Sequence, residues 1–267
     1  MRRSSVAGDR PSATVACSSG KVGGMRSRAV TRKKEHKDPA ARGRRLRQRL
    51  YRLVHPMRLG AVRRITPISD MWGYDRGTPI DRYYIERFLS QHHRDIHGRV
   101  LEIKDSGYTD RFGLNVAHRD VLDVDPTNAR ATIIADLTVA DAIPSGQFDC
   151  FVLTQTLHFI YDTRAALMHA HRILRPGGVL LATLPAVSKL DRRLTDYWRF
   201  TAASCLALFG EVFGAEQVQV QSFGNVLTAI TFLTGMACEE LSHDELEAHD
   251  QRFAVVVAVR AVKRAVG

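Results

Sequence analysis

Short runs of consecutive apolar residues alternate with segments whose apolar positions recur every three to four residues. The runs are Arg99–Ile103 (RVLEI), 116–124, Ala131–Ala135 (ATIIA), Phe148–Thr154 (FDCFVLT) and Val179–Leu184 (VLLATL). Each is short, flanked by turn residues and apolar enough to be covered on both faces, which predicts buried strands of a parallel sheet. Between the last two, Ala166, Leu167, Ala170, Ile173 and Leu174 fall on one face of a helix over 162–174, and Pro176, Gly177 and Gly178 supply its stop. Upstream, Ile80, Tyr83, Tyr84, Phe88 and Leu89 keep helical spacing behind Thr78 and Pro79, so a helix with a Thr cap and Pro at its first position is expected. The segments 218–223 and 253–262 read as a final strand pair, with the last strand inserted between earlier ones. Strands alternating with helices imply right-handed crossovers. The expected fold is therefore α/β: a doubly wound, mostly parallel, seven-stranded sheet with an antiparallel last strand.

Charge divides the chain of 267 residues into two parts. Residues 1–64 hold 19 Lys and Arg against Asp9, Glu35 and Asp38, whereas 65–267 hold 20 against 25, so the net +11 belongs to the first part. Residues 1–40 are rich in Ser, Gly, Arg and Lys with few large apolar side chains, and a basic, largely disordered tail is expected there. Within 40–58, Leu46, Leu50, Leu53, Val54 and Met57 recur at helical spacing among arginines, which predicts a basic amphipathic helix. That helix suits an anionic surface, RNA, an acidic partner or a stripe packed on its own domain. The domain proper is expected over 65–267, and the alternative to a basic tail is translation from an internal Met such as Met57 or Met71, with the tail not made. The longest nearly apolar stretch, Val226–Cys238, is too short to span a bilayer, and no apolar leader follows Met1, so a cytoplasmic location is expected. Cys17, Cys150, Cys205 and Cys238 lie far apart without a CxxC pair, as free thiols would, and no metal site is expected.

Three segments carry a family resemblance: ADL at 135–137, FDCFVLTQTLHFI at 148–160 and, most specifically, HRILRPGGVLLATLP at 171–185. Over roughly residues 80–264 the order of signals resembles the class I S-adenosylmethionine-dependent methyltransferases, of the type 11-like kind. DYWRFT at 196–201 is similar to members found with sugar and polysaccharide biosynthesis enzymes. The resemblance implies a Rossmann-like methyltransferase fold, S-adenosylmethionine as cofactor and a donor site at the strand ends.

In that family the first strand ends in an acidic residue and a glycine-rich turn. Here the segment reads Leu101, Glu102, Ile103, Lys104, Asp105, Ser106, Gly107, Tyr108: Glu102 matches the acid and Gly107 supplies one glycine, while Lys104 and Tyr108 stand where glycines are expected. The Lys104 ammonium could face solvent, or pair with Glu102 or Asp105 and block the pocket. Asp123 and Asp125 follow Glu102 by 21 and 23 positions; the resemblance assigns the ribose hydroxyls to Asp123, with Asp125 as a turn residue ahead of Pro126. Asp136 and Leu137 match the adenine contacts, although Asp136 equally suits a helix N-cap. Thr154 and Gln155 follow the fourth strand at the edge where open α/β sheets bind ligands. His158, nearby, is the candidate catalytic base, or a structural histidine among apolar neighbours.

The resemblance implies methyl transfer, with a small-molecule or glycan-intermediate acceptor expected. Asp196, Tyr197, Trp198 and Arg199 could frame that acceptor, with Trp198 as a sugar-stacking platform, or could brace their loop. No Asp-Pro-Pro-Tyr type signature of amino-group methylation follows the fourth strand. The alternative is a domain of the same fold that has lost the donor site and partners a glycosyltransferase or cell-envelope assembly enzyme.

Overall fold

The computed structural model describes residues 63–265, together with Leu50 and Gly60. The tail expected over 1–40, and the helix expected over 40–58 apart from Leu50, lie outside the described residues. Seven strands form one sheet: β1 Gly98–Ile103, β2 Val116–Asp123, β3 Ile133–Ile134, β4 Phe148–Thr154, β5 Leu174–Pro185, β6 Val218–Phe223 and β7 Val256–Val262. Their order is β3-β2-β1-β4-β5-β7-β6, with β7 antiparallel to both neighbours and the other pairs parallel. The predicted fold class is correct, including the insertion of the last strand.

Alternation along the central strands builds two cores. Leu101, Phe151 and Leu153 point to one face, where they meet α3 (Thr163–Ile173) and α4 (Ala202–Phe213). Val100, Cys150 and Val152 point to the other, where they meet α1 (Ile80–Gln91) and α5 (Val226–Thr234). Two further helices are short, α2 (Gly107–Phe112) after β1 and α6 (His243–Glu247) before β7. Cys150 and Cys205 are buried free thiols and Cys238 is a half-buried one. Among the described residues no helix is long and apolar enough to cross a membrane.

Three local expectations are corrected. Thr78 does not cap α1: its hydroxyl donates to Glu239 Oε1 at 2.7 Å, and the helix begins at Ile80 behind Pro79 with no side-chain cap. The Pro176-Gly177-Gly178 turn does not stop α3. That helix ends at Ile173, and β5 starts at Leu174 and carries the turn within it as an irregularity in its pairing with β4. A Cβ at Gly178 would meet the Phe148 carbonyl at 2.9 Å, so the glycine permits a close strand approach rather than a helix end. The third strand is only the pair Ile133–Ile134, short enough to leave little exposed edge.

Candidate functional site

The carboxyl ends of β1, β2 and β4 open into a cavity of about 990 Å³. Glu102, Lys104, Asp123, Asp136, Leu137, Thr154, Gln155 and His158 all line it, so residues spread over 57 positions of sequence converge on one space. Gly107 does not; it lines an adjoining groove of about 450 Å³.

Glu102 is buried near the end of β1, and its two oxygens accept from the N–H groups of Tyr108 at 3.0 Å and Thr109 at 2.8 Å. It thus caps the first turn of α2, where the helix has no side-chain cap of its own. Burial pushes its carboxyl above the usual range, against the pull of these bonds. Next in the turn, Lys104 adopts φ +69°, a left-handed conformation that glycine takes at no steric cost. The turn is fixed by its own backbone, since the Lys104 N–H donates to the Leu122 carbonyl at 3.0 Å and its carbonyl accepts from Asn128 Nδ2 at 2.8 Å. Lys104 pairs with neither Glu102 nor Asp105. Among the described residues the cation nearest Asp105 is Arg130, at 3.9 Å. The Lys104 charge is felt instead at Asp125, whose carboxyl is held down by Thr127 and then by Lys104, and at Asp191, held at about 2 chiefly by Arg193.

Asp123, the last residue of β2, is buried and holds the following loop. Its Oδ1 accepts from the Asp125 N–H at 3.1 Å and its Oδ2 from Asn128 Nδ2 at 2.7 Å. A carboxylate has about four acceptor positions, so both oxygens keep capacity for a ligand. Asp125 is a turn residue, accepting from the Thr127 N–H at 2.9 Å. Asp136 is exposed and caps a 3₁₀ turn, accepting from the Thr138 N–H at 2.8 Å, while Leu137 beside it is buried. Beyond β4, Gln155 takes φ +46°; its N–H donates to the Thr183 carbonyl at 2.8 Å, and its buried Nε2 has no hydrogen-bond partner.

His158 is 6% exposed on a 3₁₀ turn, its Nδ1 buried without a partner. Burial lowers its pKa to about 4, with Asp196 and Arg199 pulling in opposite directions, so the imidazole is neutral at pH 7. The His158 carbonyl accepts from the N–H groups of Tyr197 at 2.9 Å and Trp198 at 3.2 Å, and the Trp198 indole N–H donates to the Ile160 carbonyl at 3.0 Å. Arg199 pairs with Asp196 at 2.5 and 2.9 Å and donates to the Ser188 and Lys189 carbonyls, so this aspartate and arginine brace their loop. The aromatic rings stay open: Tyr161, Tyr197 and Trp198 form an exposed cluster at centroid distances of 5.4 and 5.9 Å.

Sequence reasoning missed the far wall. Trp72, Asp81 and Arg82 line the same cavity from the segment before β1, and Lys189 from the loop after β5, its ammonium 3.8 Å from the Trp72 ring centre. Charged residues on a helix read as solvated, and no local pattern marks which of them turn toward a cavity. Among the described residues no group of three or more His, Cys, Asp or Glu side chains is arranged to hold a metal ion.

Residues 108–182 match a family described as a methyltransferase domain. The matched span starts just after the turn that holds Lys104 and runs into β5. No curated protein matches the chain in sequence. Among solved structures, the [4+2]-cyclase SpnF is similar at 15% identity over 82% of this chain and 96% of that one, with a TM-score of 0.48. A SAM-dependent methyltransferase from Archaeoglobus fulgidus is similar at 12% identity over 68% and 94%, with a TM-score of 0.46. An S-adenosylmethionine-dependent methyltransferase from Mesorhizobium loti is similar at 16% identity over 71% and 100%, with a TM-score of 0.45. The domain match, set on this sheet order, supports a methyltransferase as the enzyme class of the chain.

Proposed function

We propose that the chain transfers a methyl group from S-adenosylmethionine to a small-molecule or glycan-intermediate acceptor. The observation that carries this reading is the convergence of Glu102, Asp123 and Asp136, from three successive strand ends, on one cavity. The cavity lies within the size range of ligand pockets, Asp123 keeps acceptor capacity, and the orphaned Gln155 Nε2 is a buried donor in need of a partner. These residues fit the donor. Asp123 would take the ribose hydroxyls, Asp136 and Leu137 the adenine, and Thr154 and Gln155 the floor beneath it. Glu102 acts through the turn it caps, together with Gly107, rather than by direct contact.

When bound, the donor supplies an activated methyl group, so the protein has mainly to position and desolvate the acceptor. His158 Nε2, neutral at pH 7, accepts a hydrogen bond from an acceptor hydroxyl and takes its proton as the methyl is transferred. Its depressed pKa makes it a weak base, which suits alignment of the hydroxyl more than its prior ionisation. The exposed rings of Tyr161, Tyr197 and Trp198 offer an apolar wall to that acceptor. A cytoplasmic setting belongs to this reading, as does contact of the basic tail with an anionic surface. A glycosyltransferase partner finds no support in the comparisons.

Titration calorimetry with S-adenosylhomocysteine, which binds without turnover, is the test. The wild-type chain should bind, and Asp123→Ala should weaken binding about tenfold or more as two charge-assisted hydrogen bonds are lost. Absence of binding by the wild type at millimolar ligand would remove the enzyme reading and leave a non-catalytic domain.

A further inference from the structure

α5 is turned inside out. It carries no charged residue, and its threonines Thr228 and Thr231 are buried, whereas Val226, Leu227, Ile230 and Leu233 are 37–48% exposed. The inward hydroxyls are satisfied within the helix, since Thr228 donates to the Asn225 carbonyl at 3.1 Å and Thr231 to the Leu227 carbonyl at 2.8 Å. Val226, Ile230 and Leu233 are spaced by four and then three positions, so they share one face, with Leu227 at its side. A single exposed apolar residue is ordinary. Four of them on one helix, with its threonines turned inward, mark a surface that something covers.

The charge brought to the end of this helix points to the cover. The Ile68 and Ser69 N–H groups both donate to the Thr234 carbonyl, at 2.7 and 3.2 Å, so the chain enters the domain at the C-terminal end of α5. Just ahead of that anchor, Arg63, Arg64 and Ile65 are exposed, Ile65 completely. The stretch they close, residues 1–64, holds 19 Lys and Arg against Asp9, Glu35 and Asp38. Of the acidic side chains that follow α5 in the chain, Glu239 accepts from Thr78, Glu240 pairs with Arg76, Glu245 accepts from Ser242 and Glu247 pairs with Arg87. An uncharged apolar face with cations at its end matches the headgroup boundary of an anionic bilayer, where apolar side chains enter and arginines meet phosphate. A second copy of the chain fits less well. At about 14 Å long and about 10 Å wide, such a helix offers on the order of 140 Å², against roughly 800 Å² per partner in a stable interface.

We propose that the exposed face of α5 docks the chain on an anionic phospholipid bilayer, Val226, Ile230 and Leu233 entering the headgroup boundary while Arg63, Arg64 and the arginines before them pair with lipid phosphate. This inference rests on the reading that the basic segment contacts an anionic surface, and it assigns the apolar part of that contact to a helix of the folded domain. α5 supplies no residue to the wall of the large cavity, so docking and ligand binding can be tested apart.

The experiment is flotation of the full chain with vesicles of phosphatidylcholine, alone or mixed with phosphatidylglycerol. The wild type should bind the mixed vesicles about tenfold or more better than the neutral ones, and part of that binding should survive salt that screens the charges. Ile230→Ser together with Leu233→Ser should weaken binding to the mixed vesicles about tenfold and remove the salt-resistant part. Both side chains are exposed, so cooperative thermal unfolding should be unchanged. In a separate variant, Leu233→Trp, the added indole should shift its emission to shorter wavelength when mixed vesicles are supplied. If the double variant binds like the wild type, or if the Leu233→Trp emission stays in place, α5 is not the docking face and the contact of the basic segment stands alone. If light scattering finds a wild-type dimer that the double variant splits, the face joins two copies and the bilayer proposal is overturned. If the wild type floats with neither vesicle, the proposal and the reading of the basic segment fall together.

Discussion

The two sides of the cavity are stiffened by different means. On the β1–β3 side, carboxylates hold backbone: Glu102 takes two N–H groups of α2, Asp123 an N–H and an amide of the next loop, and Asp136 the N–H of a 3₁₀ turn. On the β4–β5 side, backbone carbonyls do the holding: those of His158 and Ile160 receive two N–H groups and the indole of the segment Tyr197–Trp198, and those of Ser188 and Lys189 receive Arg199, which pairs with Asp196. The first arrangement spends acidic side chains on turn geometry and so fixes what can bind there. The second leaves aromatic faces open, so on the proposed reading the first side suits the donor and the second the acceptor.

The largest effect is expected from removing a carboxylate on the first side. Glu102→Ala leaves two N–H groups at the start of α2 without acceptors in a buried place and should cost about 2–4 kcal/mol in urea unfolding. A loss below about 0.5 kcal/mol would mean that the turn does not depend on its acid.

The second side should respond to pH. With a folded pKa of about 4 against an ordinary 6.5, His158 is protonated first in the unfolded chain. Its contribution to stability is therefore complete above about pH 6.5 and lost progressively as pH falls toward 4. His158→Phe should flatten the decline in unfolding free energy between pH 7 and pH 5 relative to wild type. Identical declines in both proteins would show that the imidazole is not held neutral by burial.

The smallest effect should come from the segment that precedes the domain in sequence. Deleting residues 1–62 removes none of the strands or helices described and should leave cooperative thermal unfolding in place, because Ile68 and Ser69 anchor the start of the domain to the Thr234 carbonyl. Loss of a single cooperative transition would move the domain boundary toward the N-terminus.

Sheet architecture was legible because it rests on local pattern. The apolar runs at Arg99–Ile103 and Phe148–Thr154 fall within one residue of β1 and β4, and the order of elements fixed the rest. The strand-end acids Glu102, Asp123 and Asp136 came from the family resemblance, and they meet because the strands of a doubly wound sheet end on one edge. The far wall was not. Asp81 and Arg82 reach the cavity only through the packing of α1 against the sheet, and their neighbours in sequence, Tyr83 and Tyr84, belong to a different environment, half-buried and buried respectively. The Pro176-Gly177-Gly178 turn misled because a chain break in periodicity looks alike whether a helix stops there or a strand bends there. Lys104 was visible as an oddity, yet its left-handed backbone depends on Leu122 and Asn128, which sequence proximity does not reveal.

β7 lies between β5 and β6 and, among the described residues, is the sole sheet partner of β6. During synthesis, therefore, β6 must wait as an unpaired strand while α5, α6 and the loop to Val256 are made. The parallel half, β1 to β5, can assemble earlier, but its β5 edge stays open over the same interval. Closure joins residues near 180 to residues near 260 in one step, the longest-range strand pairing within the sheet. Ribosome-bound chains halted before Val262 should accordingly be the ones that a strand-binding chaperone, or another copy of the chain, finds most readily.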